Sequence, residues 1–430
     1  MVERALVLAL VTLASAVGPA TGQQITIRTV PISQSHQFDL FPSRTQAMGG
    51  LAIAVDDSLY DPFSNPAKGA RFAASRGFSA PGLYSVSGGA GAGRTLPVGA
   101  LVRSGNWFGG AAVAIQQVDL SQPSIFALQV PDPCITCVNR GIELPAAGRS
   151  NGNAYGQALL GRVFPASGLS IGASVFWADL NGVDGVDLLY AGSARLKQYG
   201  HAMDLRIGAL KQLARDRSFS ALLLHNRYAT THDVYYIDPF WDPGAQQFAQ
   251  RPRLEQNLDH TNTWGLHLQY SQPLRNTGWK LGWIATTNIM SHPKIPNYEI
   301  QNIPRDPGNS EAFNFGVGLS KSVQAATVGL DVVYEPIWSY TWADQTGPVQ
   351  TANGSVIQAG GKTIENRFRF SNAIVRMGFA QDVSIDPSAK VFGFQLGLAV
   401  HRIDYHLAQR DNVQLTSRRL SEDWVEWTPT

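Results

Sequence analysis

From about Arg76 onward the chain repeats one theme: a long run in which apolar residues alternate with small or polar ones, then a turn signal. Phe313, Phe315, Val317 and Leu319 alternate with Asn314, Gly316, Gly318 and Ser320. Phe392, Phe394, Leu396, Leu398 and Val400 do the same against Gly393, Gln395, Gly397, Ala399 and His401. A period of two puts one set on each face of an extended strand. These runs exceed the usual five or six residues of a strand and suit tilted strands of about nine to eleven residues crossing a bilayer. The polar face is Gly, Ser, Asn, Gln and isolated charges rather than the Leu and Val of a dry core. Trp107, Trp177, Tyr228, Tyr270, Trp279, Tyr334 and Trp338 fall near strand ends on the apolar face, where the aromatic girdles of a membrane barrel would lie.

The connections sort by length. Short ones fall at Ser104–Asn106, Pro165–Gly168, Ala214–Arg217 and Lys321–Gln324. Long ones run from Leu120 to Ser150, Asn181 to Lys197, His232 to Leu258, Ser291 to Ser310 and Asp344 to Lys362. Short and long alternate, as they do when one end of every strand faces each side of an outer membrane. The predicted fold is therefore all-β: a transmembrane antiparallel β-barrel of about fourteen strands over residues 76–430. The strands start near Arg76, Arg94, Asn106, Gly152, Leu169, Gln198, Ser218, Asp259, Thr277, Glu311, Ala325, Ile364, Lys390 and Asn412.

Composition narrows the classes. Only 15% of the 430 residues are Asp, Glu, Lys or Arg, against about 25% in soluble chains. The net charge of +2 gives no reason to expect nucleic acid. After the first twenty residues no apolar run reaches the roughly eighteen residues of a spanning helix. Residues 1–22 read as a secretory signal: Arg4, an apolar core Ala5 to Val17, a Gly18-Pro19 break, and cleavage after Ala20-Thr21-Gly22. The competing reading is a buried N-terminal helix. Cys134 and Cys137 are the chain's two cysteines. With no nearby histidine they fall short of a zinc set, and a disulfide pinning an exposed loop is the expected pairing.

Residues 23–75 differ in character. Met48-Gly49-Gly50 opens a small-residue run to Asp56-Asp57, and Asn65-Pro66-Ala67 follows as a turn or helix start. This stretch resembles the N-terminal hatch of FadL-like outer-membrane transporters of hydrophobic compounds. The residues that carry the resemblance are Met48, Gly49, Gly50, Asp56, Asp57, Asn65, Pro66 and Ala67. It departs from that pattern at Ser64, where an aromatic is common; here Phe63 stands one position earlier. The resemblance implies a plug over residues 23–75, a gating role for those eight positions, and uptake of a hydrophobic small molecule such as a fatty acid or hydrocarbon across the bacterial outer membrane. PorV-type barrels share much of this opening, which leaves a second reading: a docking platform for an exported protein. The size of the barrel points the same way, because fourteen strands enclose more space than their side chains fill.

Alternation places Asp204, Arg206, His267, Asp331, Glu335, Arg367, Arg369 and Arg376 on the inward face. Such charges either pair and anchor the plug or line a path, and the three arginines 367, 369 and 376 suit a carboxylate headgroup. The segment Asp233–Asp242, with Tyr235, Tyr236, Phe240 and Trp241, reads as an outer loop that is either a greasy entry site or self-packed. Its aspartates lack calcium-loop spacing. Neither a nucleophile elbow, a His-Glu-x-x-His motif nor a phosphate loop occurs, so no enzyme, metal or cofactor is expected. The expected surroundings are outer-membrane lipid, a hydrophobic ligand and, on the second reading, an exported protein.

Overall fold

A computed structural model describes residues 36–38, 40–85, 92–119, 150–183, 193–275, 277–292, 308–344, 347–386 and 390–430. The signal segment 1–22, Cys134 and Cys137 lie outside the described residues. The strands begin with β1 (Arg76–Ser79), β2 (Gly82–Ser85), β3 (Ala92–Ser104), β4 (Trp107–Asp119), β5 (Ser150–Phe164) and β6 (Leu169–Leu180). They continue with β7 (Arg195–Leu213), β8 (Arg217–Asp242), β9 (Gln247–Pro273), β10 (Trp279–His292), β11 (Gly308–Val323) and β12 (Ala326–Asp344). A small hairpin of β13 (Val349–Gln350) and β14 (Val356–Ile357) precedes β15 (Lys362–Asp386), β16 (Lys390–Asp411) and β17 (Thr416–Pro429).

One antiparallel sheet takes its strands in chain order from β1 to β17, with β2 beside β3 and the β13–β14 hairpin separate. The predicted first strand is broken. β1 pairs with Val98–Leu101 and β2 with Ala92–Thr95, and the break falls at Ala80-Pro81, opposite Leu96-Pro97. Proline brings no N–H to a ladder on either side of that break. Among the described residues the end strands β1 and β17 are not paired with each other.

The two faces of the sheet reverse the rule for soluble proteins. On β4, Val113 and Ile115 are 63% and 66% exposed, while Gln116 on the other face is 3% exposed. Trp177, Ile207, Leu223, Trp264, Ile289, Val332 and Leu396 continue the exposed apolar face. Asn153, Ser174, Asp204, Asn226, Asn288, Asp331 and Asn372 lie buried on the opposite one. Apolar surface this extensive is stable facing hydrocarbon and is a liability in water. The apolar face is therefore the lipid face.

Three placements differ from the sequence reading. Residues 233–242 are not a loop: β8 runs through Asp242, β9 starts at Gln247, and only residues 243–246 connect them. At 26 and 27 residues, these strands are more than twice what a crossing needs, so the hairpin projects well beyond the bilayer. Tyr228 belongs to the buried face, packed against the apolar cluster that contains Leu40, Tyr155, Phe176 and Leu180. Arg367 and Arg369 face outward. On β15 the even positions Asn366, Phe370, Asn372 and Ile374 are buried, so the odd-numbered arginines take the opposite side and only Arg376 points in.

Candidate functional site

Residues 37–72 lie across the buried face and touch every strand of the sheet from β3 to β16. Their own structure is three short 3-10 turns and one helical turn: His36–Phe38, Gln46–Met48, Pro66–Arg71 and Asp61–Ser64. A chain with so little regular structure leaves its backbone groups to find partners elsewhere. The strands supply them. From β3, Arg103 donates to the carbonyls of Ala70 and Phe72, both at 2.8 Å. Gln116 on β4 donates to the Gln37 carbonyl at 2.6 Å, and Gln157 on β5 to Phe63 at 3.1 Å. On β6 the Ser170 hydroxyl donates to Ala67 at 3.0 Å, and on β11 Ser320 donates to Ala54 at 2.8 Å. Gln269 on β9 donates to Ala52 and Ile53 at 3.1 and 2.9 Å. Asp331 on β12 accepts from the amides of those same two residues at 2.8 and 3.1 Å. The Ala52-Ile53 backbone is thus held from both sides.

Arg206 on β7 is the most heavily engaged cation at the seat. It donates to the carbonyls of Phe63 and Ser64 at 3.3 and 2.9 Å and to Asp204 at 2.6 Å. The Asp204 side chain is 1% exposed. A buried carboxylate needs such a partner, so this pair serves as an anchor for the segment.

The two adjacent acids of the segment do different work. Asp57 accepts from the Ser43 hydroxyl and the Arg44 amide with one oxygen, and from the Leu59 and Tyr60 amides with the other. It staples the segment to itself. Asp56 turns to the wall, 2.6 Å from Arg71 and 2.5 Å from Lys280, near the short-turn rim. Burial opposes its charge, but Arg71 and Lys280 outweigh burial and hold this carboxyl below its ordinary range. Asn65 accepts from the Ala67 amide and starts the Pro66–Arg71 turn.

Glycines on the wall make the close approach possible. A Cβ on Gly172 would lie 2.7 Å from the Pro66 carbonyl carbon, and one on Gly282 would lie 2.6 Å from the Ile53 oxygen. Gly378 and Gly397 meet the backbone of Met48 and Gly49 in the same way. Gly49 and Gly50 themselves sit at φ +75°, a left-handed conformation that favours glycine. The sequence reading missed these wall glycines as part of the site. Their signal was present as glycine recurring on the polar face of the strands, which marks a backbone passing close by.

The remaining candidates separate. His267 is on the inward face, its Nδ1 2.7 Å from the Thr286 hydroxyl. Arg376 lies opposite Asp331 in register, and its side chain reaches to about Gly50. Glu335 accepts from Asn314 at 2.7 Å. Beyond the segment, toward the long connections, Met290, Ala312, Ile337, Phe370 and Ile403 form an apolar cluster on the inward face, with Phe368 and Tyr405 packed against it.

Of the projecting aromatics, Tyr236 lies under the Arg253 guanidinium at 4.5 Å and Phe240 under Arg251 at 5.8 Å. Tyr235 carries Arg195 at 5.4 Å, and Trp241 is 52% exposed. Arg253 also binds Asp238 at 2.6 Å, and this hydrogen bond holds the Asp238 carboxyl below its ordinary range. A carboxyl lowered in the folded state stabilises above its unfolded value, about 4, and loses that contribution as pH falls through the lowered value. The protection factors of amides across residues 236–253, taken against intrinsic exchange at each pH, are therefore expected to stay level from neutral pH to about pH 5 and to fall below about pH 4. Asp238→Asn should abolish that pH step, and a step that survives it would assign the effect elsewhere.

No protein-family model matches the sequence, and no curated protein matches it. Among solved structures, a ferric enterobactin receptor mutant from Pseudomonas aeruginosa, in complex with enterobactin, is similar at TM-score 0.39 and 10% identity over 83% of this chain and 60% of that one. The FrpB iron transporter from Neisseria meningitidis (F3-3 variant) is similar at TM-score 0.32 and 10% identity over 83% and 62%. The chain spans about three fifths of the length of these two proteins.

Proposed function

We propose that the sheet closes into a barrel in the bacterial outer membrane and that residues 37–72 plug it, gating uptake of a hydrophobic small molecule. The observation that carries this reading is the pairing of a seated segment with an apolar inward cluster beside it. A barrel interior open to water has no reason to gather Met290, Ala312, Ile337, Phe370 and Ile403 on five adjacent strands, since aqueous lumens are polar. Such a cluster stabilises an alkyl chain by roughly 25 cal/mol per Å² of apolar surface removed from water. Met48, Gly49, Gly50, Asn65, Pro66 and Ala67 then act as the packed face of the plug, and Asp56 and Asp57 as its staples. Arg206, His267 and Arg376 flank it as holding groups.

The projecting β8–β9 hairpin favours a second reading, a platform for an exported protein. Its Arg–aromatic ladder, built from Tyr236, Arg253, Asp238, Arg251 and Phe240, makes a stiff blade outside the bilayer. Tryptophan-quenching titration of the detergent-purified chain with oleate distinguishes the two. Uptake predicts saturable micromolar binding that weakens at least about tenfold in Ile337→Asn, which sets a polar amide against the alkyl chain. An absence of binding, with an exported protein co-purifying, would overturn uptake and leave the platform.

A further inference from the structure

The outward face of β12, β15, β16 and β17 changes character abruptly along the strands. Val332 and Tyr334 on β12, Met377 on β15, Leu396 on β16 and Trp427 on β17 belong to the exposed apolar band. Toward the long connections, a polar row Pro336–Ser371–Asp404–Asp423 comes first, and beyond it lie the rows Trp338–Arg369–His406–Ser421 and Tyr340–Arg367–Ala408–Arg419. These rows enclose a groove of about 390 Å³ on the outer surface, lined by Trp338, Arg367, Arg369, His406 and Arg419, with the small side chain of Ala408 between arginines.

No carboxylate lines the groove. Glu365 accepts from the Tyr340 hydroxyl at 2.6 Å and from Asn412 at 3.1 Å, and Asp404 pairs with Arg402 at 3.4 Å; Asp423 lies across from Asp404, one row nearer the apolar band and outside the groove lining. Among the described residues, Arg367, Arg369 and Arg419 have no ion-pair partner. Three guanidiniums converge where the hydrocarbon band gives way to Trp338 and Tyr340, the residue types that mark the headgroup level. Guanidinium forks match phosphate oxygens two at a time. At that depth the anions available are those of the lipid itself.

We propose that this groove binds the phosphate of an anionic lipid headgroup, in the leaflet on the side of the long connections. The proposal rests on the outer face being lipid-facing and is independent of what the interior carries. Tyr340 stacks under Arg367, centroid to guanidinium 5.8 Å, and holds that fork in place. Ala408 leaves the space in which a phosphate sits between Arg367 and Arg419, its partners across the strands.

The test is native mass spectrometry of the full detergent-purified chain, equilibrated with diphosphoryl lipid A, with and without inorganic phosphate as competitor. The wild-type chain is expected to retain the lipid through desalting. The triple variant Arg367→Gln/Arg369→Gln/Arg419→Gln is expected to lower its occupancy at least about tenfold. Ala408→Glu, which removes no arginine and fills the groove with an anion, should do the same. Arg162→Gln, on the outward face of β5 and remote from the groove, should leave occupancy unchanged. Equal occupancy in wild type, triple variant and Ala408→Glu overturns the proposal, and so does full displacement by inorganic phosphate, which would make this a free-anion site. Insertion into phosphatidylcholine liposomes, scored on the same samples by heat-modifiable migration, reports the membrane fold separately. Failure there removes the lipid-facing premise. Insertion with unaltered binding in the variants removes only the headgroup site.

Discussion

Leucine at both Gly172 and Gly282 is expected to lift the N-terminal segment off its wall and open the interior. The strands tolerate the change, because leucine fits a pleated surface at least as well as glycine does. The segment does not tolerate it. The added Cβ atoms would fall 2.7 Å from the Pro66 carbonyl carbon and 2.6 Å from the Ile53 oxygen, both backbone atoms that cannot rotate away. Overpacking of this kind costs about 1–3 kcal/mol per site. The two sites press on different parts of the segment, so their costs should roughly add. A combined penalty of about 2–6 kcal/mol shifts the docked-to-undocked ratio by 30-fold or more. Two measurements read that shift. Trypsin should cut at Arg44, Lys68 or Arg71 faster in the variant, and planar-bilayer conductance should rise from the closed level of the wild type. Gly156→Leu is the control: a Cβ there meets nothing within 4 Å, and both readouts should stay at wild type. Full protection and unchanged conductance in the double variant would show that the segment does not close the interior.

Much of the wall was legible in the sequence because lipid imposes a simple rule on it. Within the hydrocarbon layer one face must be apolar, and Phe315-Gly316-Val317-Gly318 carries that rule openly, with Phe315 and Val317 exposed and the glycines facing in. The fourteen strand starts predicted from alternation correspond to the strands of the main sheet path, most within a few residues. Outside the hydrocarbon layer the rule lapses, and the sequence reading goes wrong there for that reason. Asp238-Pro239 and Asp242-Pro243 look like loop chemistry, yet β8 and β9 stay paired past the bilayer through the Arg253–Asp238 bridge and the Tyr236–Arg253 stack. Arg367-Phe368-Arg369-Phe370 alternates as a lipid-crossing strand would, which suggested arginines inside and phenylalanines outside. Above the band the preference inverts: Phe370 packs inward on Tyr405 at 4.8 Å and the arginines take the outer surface. The seat was legible only in part. Met48-Gly49-Gly50 and Asn65-Pro66-Ala67 mark the segment, but it has no periodicity, so nothing in its own sequence says which strand side chains will take up its backbone groups.

Those partners are where the second large effect is expected, at Arg206. Arg206→Ala removes one cation and strands two acceptors, the Ser64 carbonyl and the Asp204 carboxylate, whose side chain is 1% exposed, while the Phe63 carbonyl keeps Gln157 as its donor. Breaking a buried ion pair from one side costs about 3–5 kcal/mol, chiefly because the remaining charge is left without a partner. Removing both charges avoids that part of the penalty. Asp204→Ala/Arg206→Ala is therefore expected to be more stable than Arg206→Ala alone, although the Ser64 carbonyl still loses this donor and the Phe63 carbonyl is left with Gln157. The ordering is the informative result, and the midpoint of heat-modifiable migration in detergent measures it. Arg206→Lys should fall between wild type and Arg206→Ala, because an ammonium keeps the charge but lacks the fork that reaches Asp204 and both carbonyls at once. If the double variant proves the least stable of the set, Asp204 is not an uncompensated charge after Arg206 is lost. The anchor would then lie in the carbonyl contacts rather than in the ion pair.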